Sequence, residues 1–290
     1  MNTTLADMKR IAKTMAAGCV NAAYAWALHQ ISMPKDALFP AGMMHTDSWL
    51  TKRFPKLRQG YRTEADYQKM MLVVNGHTMV TYDGQATLID QVRFVESRGI
   101  AGAFVELGTW KGGCMGLMAQ ANLAYGKTRR VLHGFDSFAG LPAPIKGKDA
   151  ASEVCDTFKV AEADMDGSLK PIGALLSERS DVERLLARIG YPEDQVHLHV
   201  GWFQDTVPPA AAGIGPIAIL RLDGDLYDSY KIGLETLWDS VVPGGFVIFD
   251  DWVFEGCRKA ILEFFAARGI DRYVCRADAT VRYVQKSGQP

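Results

Sequence analysis

The run Phe104-Val105-Glu106-Leu107-Gly108-Thr109-Trp110-Lys111-Gly112-Gly113 constrains this chain more than any other stretch. It reads as a buried strand that ends beside an acidic residue and enters a glycine-rich turn. Cys114-Met115-Gly116-Leu117-Met118-Ala119 then begins an apolar helix. A strand–glycine turn–helix unit presents backbone N–H groups at the helix N-terminus and lets a ligand approach the glycine backbone closely. In a doubly wound sheet, that is where a nucleotide-like cofactor sits. Glycine turns also serve as plain connections, so the remaining acidic residues carry the argument.

Those residues recur at strand ends. Strands are expected at Ala103–Leu107, Arg130–Phe135, Val196–Val200, Ile217–Leu222 and Phe246–Phe249, alternating with helices. The helices are expected behind Gly113 to Tyr125 and at Ser180–Ile189, Tyr227–Ser240 and Cys257–Arg268. Two last strands, Arg272–Arg276 and Thr280–Gln285, flank the hairpin turn Ala277-Asp278-Ala279. Such alternation predicts an α/β fold: a mostly parallel seven-stranded sheet, helices on both faces and an antiparallel edge hairpin. The segment from Ser137 to about Ala174 reads as a surface excursion. His77 to Gly84 reads as a lid-like loop between the helices Thr63–Val74 and Thr87–Ser97.

The N-terminal part differs. Leu5 to Ile31 is an Ala-rich helical pattern with Ile11, Met15, Cys19 and Ala22 on one face, and Pro34, Pro40 and Pro55 punctuate an irregular stretch to about Gln59. Residues 1–75 are therefore expected to form a helical arm, packed on the domain at 76–290, on a second copy in a homo-oligomer, or as a wall over the site. Lys9, Arg10 and Lys13 before the Ala-rich segment Met15 to Leu28 raise a signal peptide. Asn21 and the weak hydrophobicity of Ala argue against one, and no stretch reads as a membrane span.

At 290 residues, 48% hydrophobic and 22% charged, the chain has the make-up of a globular protein. A net charge of −1 gives no field that favours nucleic acid or an anionic membrane. Lys52-Arg53 and Lys127-Thr128-Arg129-Arg130 read as solvated surface. Five dispersed cysteines with no C-x-x-C pair suggest neither a zinc site nor a disulfide framework, and a cytoplasmic location is expected.

Glu106, Asp136, Asp223 and Asp250 each stop an apolar run at its carboxyl end, the edge where open α/β sheets bind ligands. Asp136, about 30 residues past the glycine turn, suits two ribose hydroxyls. However, Gly108-x-x-x-Gly112 is not the G-x-G-x-x-G of nicotinamide dehydrogenases, and an acid two residues before the first glycine sits badly against a pyrophosphate. It suits the amino group of S-adenosylmethionine. An NAD-dependent oxidoreductase and a non-catalytic binding module with this fold remain as alternatives.

Asp223-Gly224-Asp225 and Asp250-Asp251 hold four carboxylates at the ends of strands expected to be neighbours. Like charges that close raise one another's pKa, and a hard divalent cation relieves the repulsion. Oxygen-only ligands suit Mg²⁺, Ca²⁺ or Mn²⁺. The plainer reading makes Asp251 a helix cap and Asp223 or Asp225 an ordinary turn residue. A cation beside a methyl donor has a use, because it lowers the pKa of a substrate hydroxyl and orients it, while a further carboxylate takes the proton. His133, His197 and His199 read as core or surface histidines, and His77 as an alternative base.

Taken together, several runs resemble the TylF/MycF family of macrocin-type O-methyltransferases. They are Thr78-Met79-Val80, Glu106 to Gly113, Asp136-Ser137-Phe138-Ala139-Gly140-Leu141-Pro142, Gly201-Trp202-Phe203-Gln204-Asp205-Thr206-Val207-Pro208, Arg221 to Tyr227, and Pro243-Gly244-Gly245 through Asp250-Asp251. They span about residues 78 to 265, in order. The resemblance implies a class I, Rossmann-like methyltransferase fold and Mg²⁺-dependent methylation of a hydroxyl, typically on a natural-product sugar. It implies Asp223, Asp250 and Asp251 as metal ligands, with Asp223 part of the catalytic centre and Asp225 the general-base candidate. Glu106, Gly108, Thr109, Trp110, Asp136 and Ser137 would line the cofactor, with Trp202 and Phe203 near the adenine and Met79 on the lid. After Val80, Thr81-Tyr82-Asp83 replaces the glycine usual in the lid motif, and the first 60 residues carry no matching run. Both departures bear on the acceptor pocket.

Overall fold

A computed structural model of the chain describes residues 64–287. The helix over Leu5–Ile31, the proline-punctuated stretch and the Lys52-Arg53 cluster lie outside the described residues. The elements, in order, are α1 (Glu64–Val73), α2 (Tyr82–Arg98), β1 (Ala103–Leu107), α3 (Gly113–Tyr125), β2 (Leu132–Asp136), α4 (Ala151–Phe158) and α5 (Arg179–Ile189). Then follow β3 (Val196–Val200), α6 (Phe203–Ile214), β4 (Ile217–Leu222), α7 (Tyr227–Leu237), β5 (Val241–Phe249), α8 (Glu255–Ala267), β6 (Cys275–Arg276) and β7 (Arg282–Gln285).

The strands form one seven-stranded sheet in the order β3-β2-β1-β4-β5-β7-β6. The first five are mutually parallel, and β7 runs antiparallel between β5 and β6. All residues of β1 and β4 are buried, which explains why both read as unbroken apolar runs rather than alternating ones. On one face, α6, α7 and α8 bury Val207, Ile214, Tyr230, Leu234, Ile261 and Phe265 against Val105, Leu107, Leu220 and Phe249. On the other, α3 lies between the sheet, α2 and α5 and is buried nearly all round, so its sequence lacks a polar face. Helix α2 is amphipathic by contrast, burying Leu88, Ile89, Val92 and Val95, and it ends at Gly99 in the left-handed conformation. Helix α1 packs against α2 and α3.

Five expectations are corrected by the fold. The loop expected at His77 to Gly84 is shorter, because Thr81 caps α2 by accepting the Gly84 N–H and the helix starts at Tyr82. The excursion after Ser137 contains α4, whose Val154 packs with Met165 and Leu226 in a small core of its own. Helix α6 is not among the expected helices, and it carries Pro208 and Pro209 inside it. Arg130 is not solvated surface: its guanidinium pairs with Glu96 at 2.9 Å and donates to the Gly102 carbonyl. The hairpin strands are also shorter than expected, because Asp278 accepts the N–H groups of Thr280 and Val281 and builds a longer turn.

The strand order reverses between β1 and β4, which opens a crevice at their carboxyl ends. There the two connections touch. Gly108 has φ +91°, and a Cβ on it would lie 1.6 Å from the Asp223 carbonyl oxygen. Gly108→Ala should therefore destabilise the protein by about 4 kcal/mol or more. Urea denaturation followed by circular dichroism checks this; a loss under about 1 kcal/mol would mean the two loops separate freely.

Candidate active site

A cavity of about 230 Å³ occupies that crevice. Every site residue expected from the sequence lines it: Met79, Glu106, Gly108, Thr109, Trp110, Asp136, Ser137, Trp202, Phe203, Asp223, Asp225, Asp250 and Asp251. His77 lines it too, whereas His133, His197 and His199 do not. Those three stack on one another along β2 and β3, where burial lowers the His133 pKa to about 4.

The β1–α3 turn is built around Asp136. One of its carboxylate oxygens accepts the Trp110 N–H and the other the Phe138 N–H, both at 2.7 Å. Trp110 and Phe138 both hold left-handed backbone conformations, φ +46° and +52°, which those two bonds help to pay for. Ser137 Oγ donates to the Gly140 carbonyl and so shapes the loop after β2. The start of α3 is not open to a ligand as expected. The Gly113 N–H donates to the His77 carbonyl at 3.0 Å, and the Gly112 N–H donates to Thr109. His77 Nδ1 donates to the Lys111 carbonyl at 2.9 Å, so the segment after α1 is tied to the glycine turn. At its other end, Thr81 Oγ1 donates to Asp278 in the terminal hairpin. Between the ties, Met79 is 68% exposed at the cavity mouth.

The carboxylates converge as expected, but around a residue the sequence reading did not single out. Arg221, 2% exposed, donates through Nη1 to Glu106 at 2.7 Å and to Asp223 at 2.5 Å, and through Nη2 to Asp250. The parallel register explains this, since Glu106 on β1 lies beside Arg221 on β4, and Asp223 follows two residues later on the same face. A charge inside the otherwise apolar run Ile-Ala-Ile-Leu-Arg-Leu was the available signal. Compensation of the acidic cluster is thus partly internal rather than left wholly to a metal ion.

Asp251 does not cap α8, whose N-cap is Phe254. Its Oδ2 instead accepts the Asp225 N–H at 2.9 Å and lies 3.0 Å from the Tyr230 hydroxyl. Asp225 sits in a left-handed turn with φ +59°. Oxygens of Asp223, Asp250 and Asp251 all lie within 4.8 Å of one another, a spacing and hard-donor chemistry that fit a divalent cation. Glu106 Oε2 is buried and has no hydrogen-bond partner among the described residues. Burial pushes the Glu106 carboxyl up to about 8, although Arg221 pulls it back. Burial, then neighbouring carboxylates, likewise raise Asp225 and Asp251. Asp250 is also raised, by burial against the pull of Arg221.

A sheet of this order, with a cavity at its switch point and acids closing β1, β2, β4 and β5, defines a class I, Rossmann-like methyltransferase. The chain belongs to the macrocin O-methyltransferase (TylF) family, whose model matches residues 43–286. It is an O-methyltransferase, which sets aside the nicotinamide oxidoreductase and the non-catalytic module. The match begins upstream of Thr78, inside the stretch for which no resemblance was expected. The chain is similar to 8-demethyl-8-(2,3-dimethoxy-alpha-L-rhamnosyl)-tetracenomycin-C 4'-O-methyltransferase of Streptomyces olivaceus, at 35% identity over 70% of this chain and 73% of that one. It is 31% identical to mycinamicin III 3''-O-methyltransferase of Micromonospora griseorubida, over 73% and 79% of the two chains. Among solved structures, the O-methyltransferase NovP superposes with a TM-score of 0.63 at 29% identity, covering 73% of this chain and 83% of that one. No helix among the described residues is long and apolar enough to cross a membrane, and the four cysteines there are free thiols.

Glu106 holds its proton more tightly folded, near 8, than unfolded, near 4.5. The protein free of cofactor and metal should therefore lose stability as pH rises from about 4.5 to about 8. Urea midpoints across that range check this. Glu106→Gln should flatten the slope in part, because Asp225, Asp250 and Asp251 shift in the same direction. A slope unchanged in that variant would place the titration elsewhere.

Proposed function

We propose that this enzyme transfers the methyl group of S-adenosylmethionine to a hydroxyl of a small, sugar-bearing natural product, using a divalent cation held by Asp223, Asp250 and Asp251. One observation carries the reading: those three carboxylates converge in the same cavity as the buried Glu106 Oε2, which has no partner among the described residues. A buried acceptor with no donor is costly until a ligand supplies one, and the cofactor's ammonium group is such a donor. Two of the relatives support the acceptor class, being named for a rhamnosyl tetracenomycin and for mycinamicin III.

The residues take these roles. Glu106 Oε2 accepts from the cofactor's amino group, and Asp136 keeps lone pairs for the ribose hydroxyls beyond its two backbone bonds. Trp202 and Phe203, at the start of α6, flank the adenine; Gly108, Thr109, Trp110 and Ser137 shape the wall around the cofactor, and Met79 covers the mouth. When bound, a divalent cation, Mg²⁺ by the hard-oxygen donor set, lowers the pKa of a hydroxyl and orients it. Asp225 takes the hydroxyl proton as the oxygen–methyl bond forms and the sulfur–methyl bond breaks. Its burial, then its neighbouring carboxylates, raise its pKa, which makes it a stronger base than an exposed aspartate.

Calorimetry tests the cofactor assignment directly: absence of binding by S-adenosylmethionine and its demethylated product would end it. Asp250→Ala should abolish turnover while leaving cofactor affinity within about a few-fold. Full activity after exhaustive chelation would remove the cation from the reading. Asp225→Asn should lower kcat by about 10²–10⁴ with the divalent ion still bound. A change confined to KM would move the base elsewhere, with His77 next in line.

A further inference from the structure

We propose that Arg221 is a built-in counter-ion that competes with the divalent cation for Asp223 and Asp250, and so sets how tightly that cation is held. The inference rests on the cation reading given above. Its starting point is that two of the three carboxylates able to hold an ion already hold a guanidinium. Nη1 lies 2.5 Å from Asp223 Oδ2, and Nη2 donates to Asp250 Oδ1. Asp251, the third, has no bond to Arg221 and is held by the Asp225 N–H and Tyr230 instead. An ion that takes oxygens from Asp223 and Asp250 therefore meets a fixed positive charge bonded to the same side chains.

Two physical arguments give the sign. Like charges a few ångströms apart in a partly buried site repel strongly, so a fixed guanidinium weakens binding of a dication. Arginine also stays protonated, so the site cannot shed this charge as a lysine or histidine site would. The same guanidinium offsets the charge of Asp223 and Asp250, since an uncompensated buried charge is strongly destabilising. Arg221 has a third partner outside the ion's ligand set, Glu106 Oε1 at 2.7 Å. Glu106 gives the guanidinium somewhere to rest its charge as Asp223 and Asp250 turn to the ion. Its other oxygen, Oε2, has no partner among the described residues. Arg221 is thus a positioning residue that touches both the cofactor side and the cation side of the cavity.

The test is Mn²⁺ binding to the cofactor-free full chain, read as free Mn²⁺ by electron paramagnetic resonance, with thermal unfolding in parallel. Arg221→Gln should bind Mn²⁺ at least tenfold tighter than wild type while melting lower without metal. Arg221→Lys keeps the charge but not the fork, and should stay within about threefold of wild-type affinity. A merely structural arginine predicts the reverse for the first variant, with affinity unchanged or weaker as the site loosens, and that result overturns the proposal. If Arg221→Gln yields no folded protein, Glu106→Gln decides. Measured above about pH 8, where the Glu106 carboxylate is ionised in the wild type, the variant leaves the guanidinium more fully on Asp223 and Asp250, so Mn²⁺ affinity should fall several-fold, and an unchanged affinity overturns the proposal. Wild type that binds no Mn²⁺ sinks the cation reading itself. Wild type that binds Mn²⁺ without tightening in Arg221→Gln sinks only the role of Arg221.

Discussion

The interior of this protein is organised by one arginine and three carboxylates. Arg221 and Glu106 are 2% and 1% exposed, deep enough that either charge alone would be intolerable. Their pairing is made by strand register, and Asp223 and Asp250 join from loops that leave the sheet beside it. Replacing such a network with apolar side chains would commonly stabilise a fold. Here the network lies under a cavity rather than under solvent or a helix.

The network depends in turn on how closely two loops approach at the switch point. Only a residue without a side chain lets the β1–α3 turn lie against the carbonyl of Asp223. That contact fixes the distance between the wall that would take the cofactor and the wall that would take the cation. Tyr230 extends the same ordering to the next strand, because its hydroxyl accepts the Asp251 N–H at 2.9 Å and lies 2.8 Å from the Leu222 carbonyl. Backbone and side chains of β1, β4 and β5 are thereby held in one frame at their carboxyl ends.

Much of this was legible in the sequence, for identifiable reasons. Strands β1 and β4 are apolar throughout, and acids terminate them, so both the parallel sheet and the functional edge could be read directly. Asp223, Asp225, Asp250 and Asp251 were found because two acidic clusters at strand ends are hard to explain separately. Arg221 was overlooked because its partner Glu106 lies 115 positions away, and only the pairing of β1 with β4 brings them side by side. Helix α6 was hidden by two prolines whose missing N–H groups its surroundings tolerate, and α4 by a charged, proline-bearing stretch. The glycine turn gave its position correctly and its bonding incorrectly, since nothing local indicates that a carbonyl 36 residues upstream caps Gly113.

The segment His77 to Thr81, which lines the cavity, is anchored at both ends, by His77 on the glycine turn and by Thr81 on the last hairpin. Only residues 78–80 lie between the anchors, and the four steps from His77 to Thr81 reach at most about 14 Å even when fully stretched. A strap that short cannot swing aside as a door does. Unless an anchor lets go, the segment can change what it presents to the cavity only by turning its side chains, that of Met79 among them.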